Sequence, residues 1–179
     1  EAGSRVELLN GTNVLGSVIA GNDGNFSITS SVLVDANYTL TVRATDLAGN
    51  TSVESVGLPI EIDATAPNIP VINVSENVST SPNLLFTGST DPGTTVTVFY
   101  NQDSGTIFTE SVTPRSDGTF ELEQDPDNDL IADGTYFVRA IATDPAGNES
   151  VLSSPLYFTI DDTKPSAPTS VQTSASITN

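Results

Sequence analysis

The side chains able to do chemistry in this chain are almost all carboxylates. Its 179 residues hold 23 Asp and Glu against five Lys and Arg, with no His, Cys, Met or Trp. That removes imidazole acid/base work, thiolate chemistry and His/Cys metal ligation together. Oxygen ligation of a hard cation is what remains. No phosphate-cradling glycine loop, nucleophile with a base, or convergent acid pair can be traced, so the chain is not expected to be an enzyme. The net charge of −18 repels nucleic acid and anionic lipid and favours cations or cationic surfaces, while also serving solubility.

The carboxylates are not scattered. Ala44-Thr45-Asp46-Leu47-Ala48-Gly49-Asn50 returns as Ala142-Thr143-Asp144-Pro145-Ala146-Gly147-Asn148, 98 residues on. Leu58-Pro59-Ile60-Glu61-Ile62-Asp63-Ala64-Thr65-Ala66-Pro67 returns at the same interval as Leu156 to Pro165. A fixed period of this length means a repeat architecture. It divides the chain into the C-terminal part of one repeat (1–62), a complete repeat (63–162) and the start of another (163–179). No apolar run approaches the roughly 20 residues needed to cross a bilayer, and there is no leader pattern, so membrane insertion is not expected. The chain reads as a segment from inside a larger protein. The absence of cysteine fits a reducing compartment or an exported protein equally.

The elements that carry these loops are strands. Val6 and Leu8 alternate with Arg5 and Glu7, and Val96 and Val98 answer them. Asp23-Gly24 and Asp117-Gly118 are turns, each followed by an alternating run from Phe26 or Phe120. Tyr38, Leu40, Val42 and Ala44 share one face, as do Tyr136, Val138, Ala140 and Ala142. Two further strands are expected at about Ile69 to Val74 and Asn83 to Ser89. A Tyr entering the penultimate strand after an acidic turn resembles the tyrosine corner of immunoglobulin-like sandwiches. The fold class is therefore all-β: tandem immunoglobulin-like antiparallel sandwiches. The first repeat, short of two strands, would leave an inner face to be covered by other residues or another molecule.

In such a sandwich the loops after strands two, four and six return to the entry end, bringing Asp91, Asp117 and Asp144 together. Asp63, leaving the previous module, is delivered to the same end. Close carboxylates repel by about 4 kcal/mol at ~4 Å and an effective dielectric of ~20. A cation relieves that, and calcium, with six to eight oxygens in loose geometry, is the expected ligand. The candidate metal set is Asp63, Asp91 and Asp144 at this junction, Glu1 and Asp46 at the one before, and Asp161, Asp162 and Asp133 at the one after. An Asp opening a Gly-Asn turn equally caps its own backbone. Asp125-Pro126-Asp127-Asn128-Asp129 is no EF-hand loop, since Leu130 and Tyr136 stand where Gly and Glu are required.

Together the repeated Ala-Thr-Asp loop, the Asp133-Gly134-Thr135-Tyr136 corner, the Thr90-Asp91-Pro92-Gly93 turn and the Ile-Asp-x-Thr-x-Pro linker resemble the bacterial immunoglobulin-like repeats of giant type I-secreted adhesins. The resemblance implies a tandem array at the bacterial surface, calcium ions at the junctions, neighbouring repeats of the same chain as partners, and contact with a host-cell glycan or receptor. Asp162 falls at Ala64 in the previous junction, and Glu1 replaces Asp91, so the junctions differ. Cadherin repeats are a partial likeness, with more acids in the linker than Asp63 alone. The alternative is a carbohydrate- or receptor-binding module using Phe99, Tyr100, Phe108, Phe137 or Tyr157.

Overall fold

The computed structural model describes residues 1–80, 84–102, 107–123 and 133–169, and among these it is all-β. The insertion Asp125–Asp129 and the tail from 170 lie outside the described residues. The chain forms two units, Glu1–Thr65 and Ala66–Asn179.

The first unit is one antiparallel sheet of β1 (Arg5–Asn10), β2 (Asn13–Ile19), β3 (Ala36–Thr45) and β4 (Leu58–Ile62), in the order β2-β1-β3-β4. Gly11, at φ 57°, turns the β1–β2 hairpin in a conformation costly for other residues. Glu7 of β1, buried and opposite Arg43 of β3 in register, accepts hydrogen bonds from its Nε and an Nη on one oxygen, at 3.1 and 2.9 Å. Tyr38 donates its hydroxyl to the Val34 carbonyl at 2.9 Å, which is the tyrosine-corner bond.

One expected strand does not form. The run from Phe26 is irregular. Its counterpart in the second unit pairs only with the strand at Leu85–Ser89, and the first unit has none in that place among the described residues. Without a ladder partner an alternating sequence gains nothing from extending.

The second unit is a sandwich. Three strands, β5 (Val71–Val74), β7 (Leu85–Ser89) and β10 (Thr119–Glu123), lie in the order β10-β7-β5. Five more, β6 (Val78–Ser79), β8 (Thr95–Gln102), β9 (Ile107–Val112), β11 (Gly134–Thr143) and β12 (Leu156–Ile160), lie in the order β6-β12-β11-β8-β9. Every pairing is antiparallel except that of β6 with β12. β5 begins at Val71 instead of Ile69, because Pro70 has no N–H to give a ladder.

The inward set of β11 is buried as its alternation requires, and packs with Ile72, Leu84, Phe86 and Phe120 of the facing layer. Phe86 is the keystone, its ring 5.8 Å from that of Tyr100 and 5.9 Å from that of Phe158. Gly88, two residues on in β7, leaves the space that the Val71 carbonyl and the Phe120 ring occupy. Gly88→Ala should therefore destabilise the second unit by about 1–3 kcal/mol through overpacking, and Phe86→Ala by about 3–5 kcal/mol through loss of the core ring. Urea titration followed by NMR of second-unit amides measures both.

Candidate functional site: the acidic module ends

Register decides which loops meet. In the second unit Ser89 pairs with both Val71 and Thr119, and Thr95 pairs with Thr143. The loops holding Asp91, Asp117 and Asp144 therefore lie at the end where β5 begins. β12 leaves at the other end, where Ile160 pairs with Gly134, and that end carries Asp133, Asp161 and Asp162.

Each entry-end carboxylate is already in use. Asp91 accepts the backbone N–H of Asn68 at 2.7 Å and its side-chain amide at 3.0 Å, tying the segment behind Pro67 to the β7–β8 turn. Those two bonds, the backbone one foremost, hold its pKa below the ordinary carboxylate value. Asp144 accepts Asn148 through its backbone N–H at 2.8 Å and its Nδ2 at 2.9 Å, and Asp46 accepts Asn50 at 2.8 Å from each group. The side-chain amide is the larger cause in both, and both pKa values are lowered. Turn capping is thus an observed role of these two aspartates. In the first unit Glu1 and Asp46 border one open hollow of about 370 Å³, with Ser4, Asn50 and Thr51.

At the exit end the structure supplies a residue that the sequence reading passes over. Asp35 accepts the backbone N–H of Ala64 at 3.0 Å on one oxygen and the Thr65 hydroxyl on the other. Asp133 does the same 98 residues later, taking the N–H of Asp162 at 2.8 Å and the Thr163 hydroxyl. The threonine hydroxyl is the larger cause in lowering each pKa. An aspartate one strand away thus clamps the departing linker in each unit. The period pointed to it, since Asp35 and Thr65 stand one repeat before Asp133 and Thr163. Asp63 meanwhile accepts the Thr65 N–H at 3.1 Å, closing a turn inside the same linker.

The second exit is more acidic than the first. A hydrogen bond to Asp133 and repulsion from its charge push the Asp162 carboxyl up, with Asp161 adding to the repulsion. Ala64 removes this pairing from the first unit. Among the described residues, no three acidic side chains are gathered closely enough to hold an ion as they stand. The donors nonetheless fit a hard cation: all are oxygens, each capped carboxylate oxygen keeps a second lone pair, and Asp133 against Asp162 is a repulsion that a divalent ion would neutralise.

Of the aromatics named from sequence, Tyr100 is not available. It is buried in the core, with its hydroxyl on Glu110 at 2.9 Å. Phe137 and Tyr157 do form an outward pair on β11 and β12, with ring centroids 6.0 Å apart. The Arg139 guanidinium stands 5.8 Å from the Phe137 ring, and Phe99 pairs with Arg139 in register. The side chain of Phe108 lies outside the described part.

An antiparallel sandwich in the second unit, and in the first a sheet of the same strand pattern with a tyrosine corner, both with acidic turns at their ends, define tandem immunoglobulin-like repeats. The chain belongs to the bacterial Ig-like domain family, whose model matches residues 1–64 and again 71–162. It is 34% identical over 130 residues to endoglucanase B of Cellulomonas fimi, an alignment spanning 68% of this chain and 12% of that protein. Among solved structures it is similar to a tetra-tandem repeat in the extending region of a large adhesion protein, with 23% identity, 91% of this chain and 43% of that chain covered, and a TM-score of 0.47. It is also similar to the BSP domain of a biofilm-associated protein, with 20% identity, 93% and 26% covered, and a TM-score of 0.37.

The exit clamps have a pH signature. Because the folded pKa values of Asp35 and Asp133 are depressed, the clamps contribute fully above the unfolded value of about 3.9 and are lost as pH falls through the lower folded values. The amide proton shift of Ala64 should titrate with a midpoint below about 3.9. In Asp35→Ala that titration should vanish, with core amides unmoved.

Proposed function

We propose that this chain is a spacer segment of a large bacterial surface adhesin, in which calcium at the module junctions converts a flexible string of sandwiches into a stiff rod that extends or presents host-cell contact. The observation that carries this reading is the recurrence, one repeat apart, of the same acidic loop and acidic linker at module ends. Family membership supports tandem sandwiches, and the loop and linker motifs resemble those of type I-secreted adhesins. Secretion to the bacterial surface belongs to the same reading.

In this reading Asp63, Asp91 and Asp144 would hold the ion at the junction within the chain. Glu1 and Asp46 would serve the preceding junction, and Asp161, Asp162 and Asp133 the following one. Capping does not compete with ligation, because a carboxylate oxygen can accept an N–H on one lone pair and meet a cation with the other. Capping in fact preorganises the ligand. The ion would supply neutralisation and a rigid oxygen shell, with no catalytic step.

Extracellular modular calcium sites bind at roughly 10⁻⁴ to 10⁻³ M, so millimolar calcium adds about 0.4 to 1.4 kcal/mol per site. That is small beside a domain's folding free energy of about 5 to 15 kcal/mol. Removing calcium should therefore shorten the maximum dimension in small-angle scattering while leaving both units folded by NMR. An unchanged dimension with and without chelator would sink the proposal. Asp144→Asn should weaken the calcium dependence without unfolding the second unit, since asparagine keeps a carbonyl oxygen to accept the Asn148 N–H.

The outward group of Phe99, Phe137, Arg139 and Tyr157 favours a second reading, a glycan- or receptor-binding face. Aromatic rings stack on the apolar faces of sugars, and an arginine beside them suits an acidic one. Glycan-array binding that Tyr157→Ala abolishes would establish it, and a silent array would leave the spacer reading alone.

A further inference from the structure

Among the described residues of the second unit, β6 and β12 form the one parallel pair, Val78 with Thr159 and Ser79 with Ile160. The backbone N–H of Thr159 donates to the Asn77 carbonyl at 2.9 Å, and that of Asp161 to the Ser79 carbonyl at 3.0 Å. β6 lies on the segment that enters the unit behind Pro67, and β12 is the strand that leaves it. The entering and leaving segments are thus bonded directly to each other.

Strand direction decides what a pull on those segments would do. β5 begins at the entry end, where Val71 pairs with Ser89, and β12 finishes at the opposite end, where Ile160 pairs with Gly134. β6 runs the same way as β12. Tension through the two segments therefore draws β5 and β6 back toward the entry and draws β12 out at the exit. Each strand is displaced along its own axis, so the bonds of β6 to β12, β5 to β7 and β12 to β11 are strained side by side. A ladder's bonds lie across its strands. Loaded along its length, such a ladder yields only when several bonds break together; loaded at one end, it opens bond by bond.

The packing opposes the same displacement. Phe158 and Ile160 of β12 are buried in the core, while Tyr157 between them is exposed. A slip of β12 by one residue would exchange the two sets between core and solvent. The entering segment is further tied at Asn68 by Asp91, and the leaving one at Asp162 and Thr163 by Asp133.

We propose that the second unit is a tension-bearing link, and that the β6–β12 pair is the lock through which load passes from the entering segment to the leaving one. This rests on the spacer reading, because only a module joined at both ends is pulled, and it does not rest on an ion. Forced unfolding reports the unfolding barrier, which is the quantity a shear-loaded ladder raises.

Single-molecule stretching of the full chain, in chelator, tests it. The chain has no cysteine, so handles can be attached at chosen sites. Ala66→Cys with Lys164→Cys places them at exposed positions flanking the sandwich, where they load β6 against β12 in shear. Glu76→Cys with Ser154→Cys places them at exposed positions ahead of the same two strands, where they open the pair from one end. At equal loading rate the first geometry should rupture at a severalfold higher force. Thr159→Pro, which removes the N–H given to Asn77, should bring the first geometry down to the force of the second. Equal forces in the two geometries would overturn the proposal. So would an undiminished force for Thr159→Pro in a chain whose NMR shows β6 released from β12. Either result would leave the spacer reading to its own scattering test.

Discussion

An antiparallel sheet with one apolar face must have that face covered, and the rest of this molecule depends on how that is done. In the second unit the cover is a three-stranded layer whose middle strand, β7, sets Phe86 between Tyr100 and Phe158. Burying apolar area is worth about 25 cal/mol per Å², so a fully enclosed phenyl ring contributes more than any surface contact in the chain. The loops can then be polar, short and acidic without threatening the fold. The stiffness of the scaffold is what allows carboxylates far apart in sequence to be held at one end.

Those carboxylates are held charged by their own local partners. Asp46, Asp91 and Asp144 each accept two N–H groups from a single asparagine, and the resulting depression of their pKa values keeps them charged. An aspartate fixed in this way is a turn or tether residue whose oxygens each keep a second lone pair, so its structural role does not preclude ligation. Asp162 is the exception: it leans on another carboxylate, and its pKa moves the other way.

The interval between Asp46 and Asp144 made the architecture legible. From that interval followed the matched faces of β3 and β11, and from strand order the end at which Asp91 and Asp144 lie. Asp35 was hidden for a physical reason. Its partners, Ala64 and Thr65, lie some thirty residues away, and the 98-residue period marks which residues are equivalent between repeats but not which residues of one repeat touch. The run from Phe26 misled for the complementary reason: alternation records what a strand would bury, not whether a neighbour is there to pair with it. Tyr100 misled because its ring points inward, at the same parity as Val96 and Val98, while its hydroxyl finds a glutamate.

The clamps change how the junction should be understood. A linker such as Asp63-Ala64-Thr65-Ala66-Pro67 would be expected to rotate freely up to its proline. Instead the carboxylate of Asp35 holds it at two atoms and Asp63 folds it into a turn. On the far side of Pro67, Asp91 holds Asn68 at two more. The residues left without such a hold are few, and Pro67 is among them with its φ already fixed. The backbone entropy of the held residues is thus already lost within each unit, at the exit of the first and at the entry of the second.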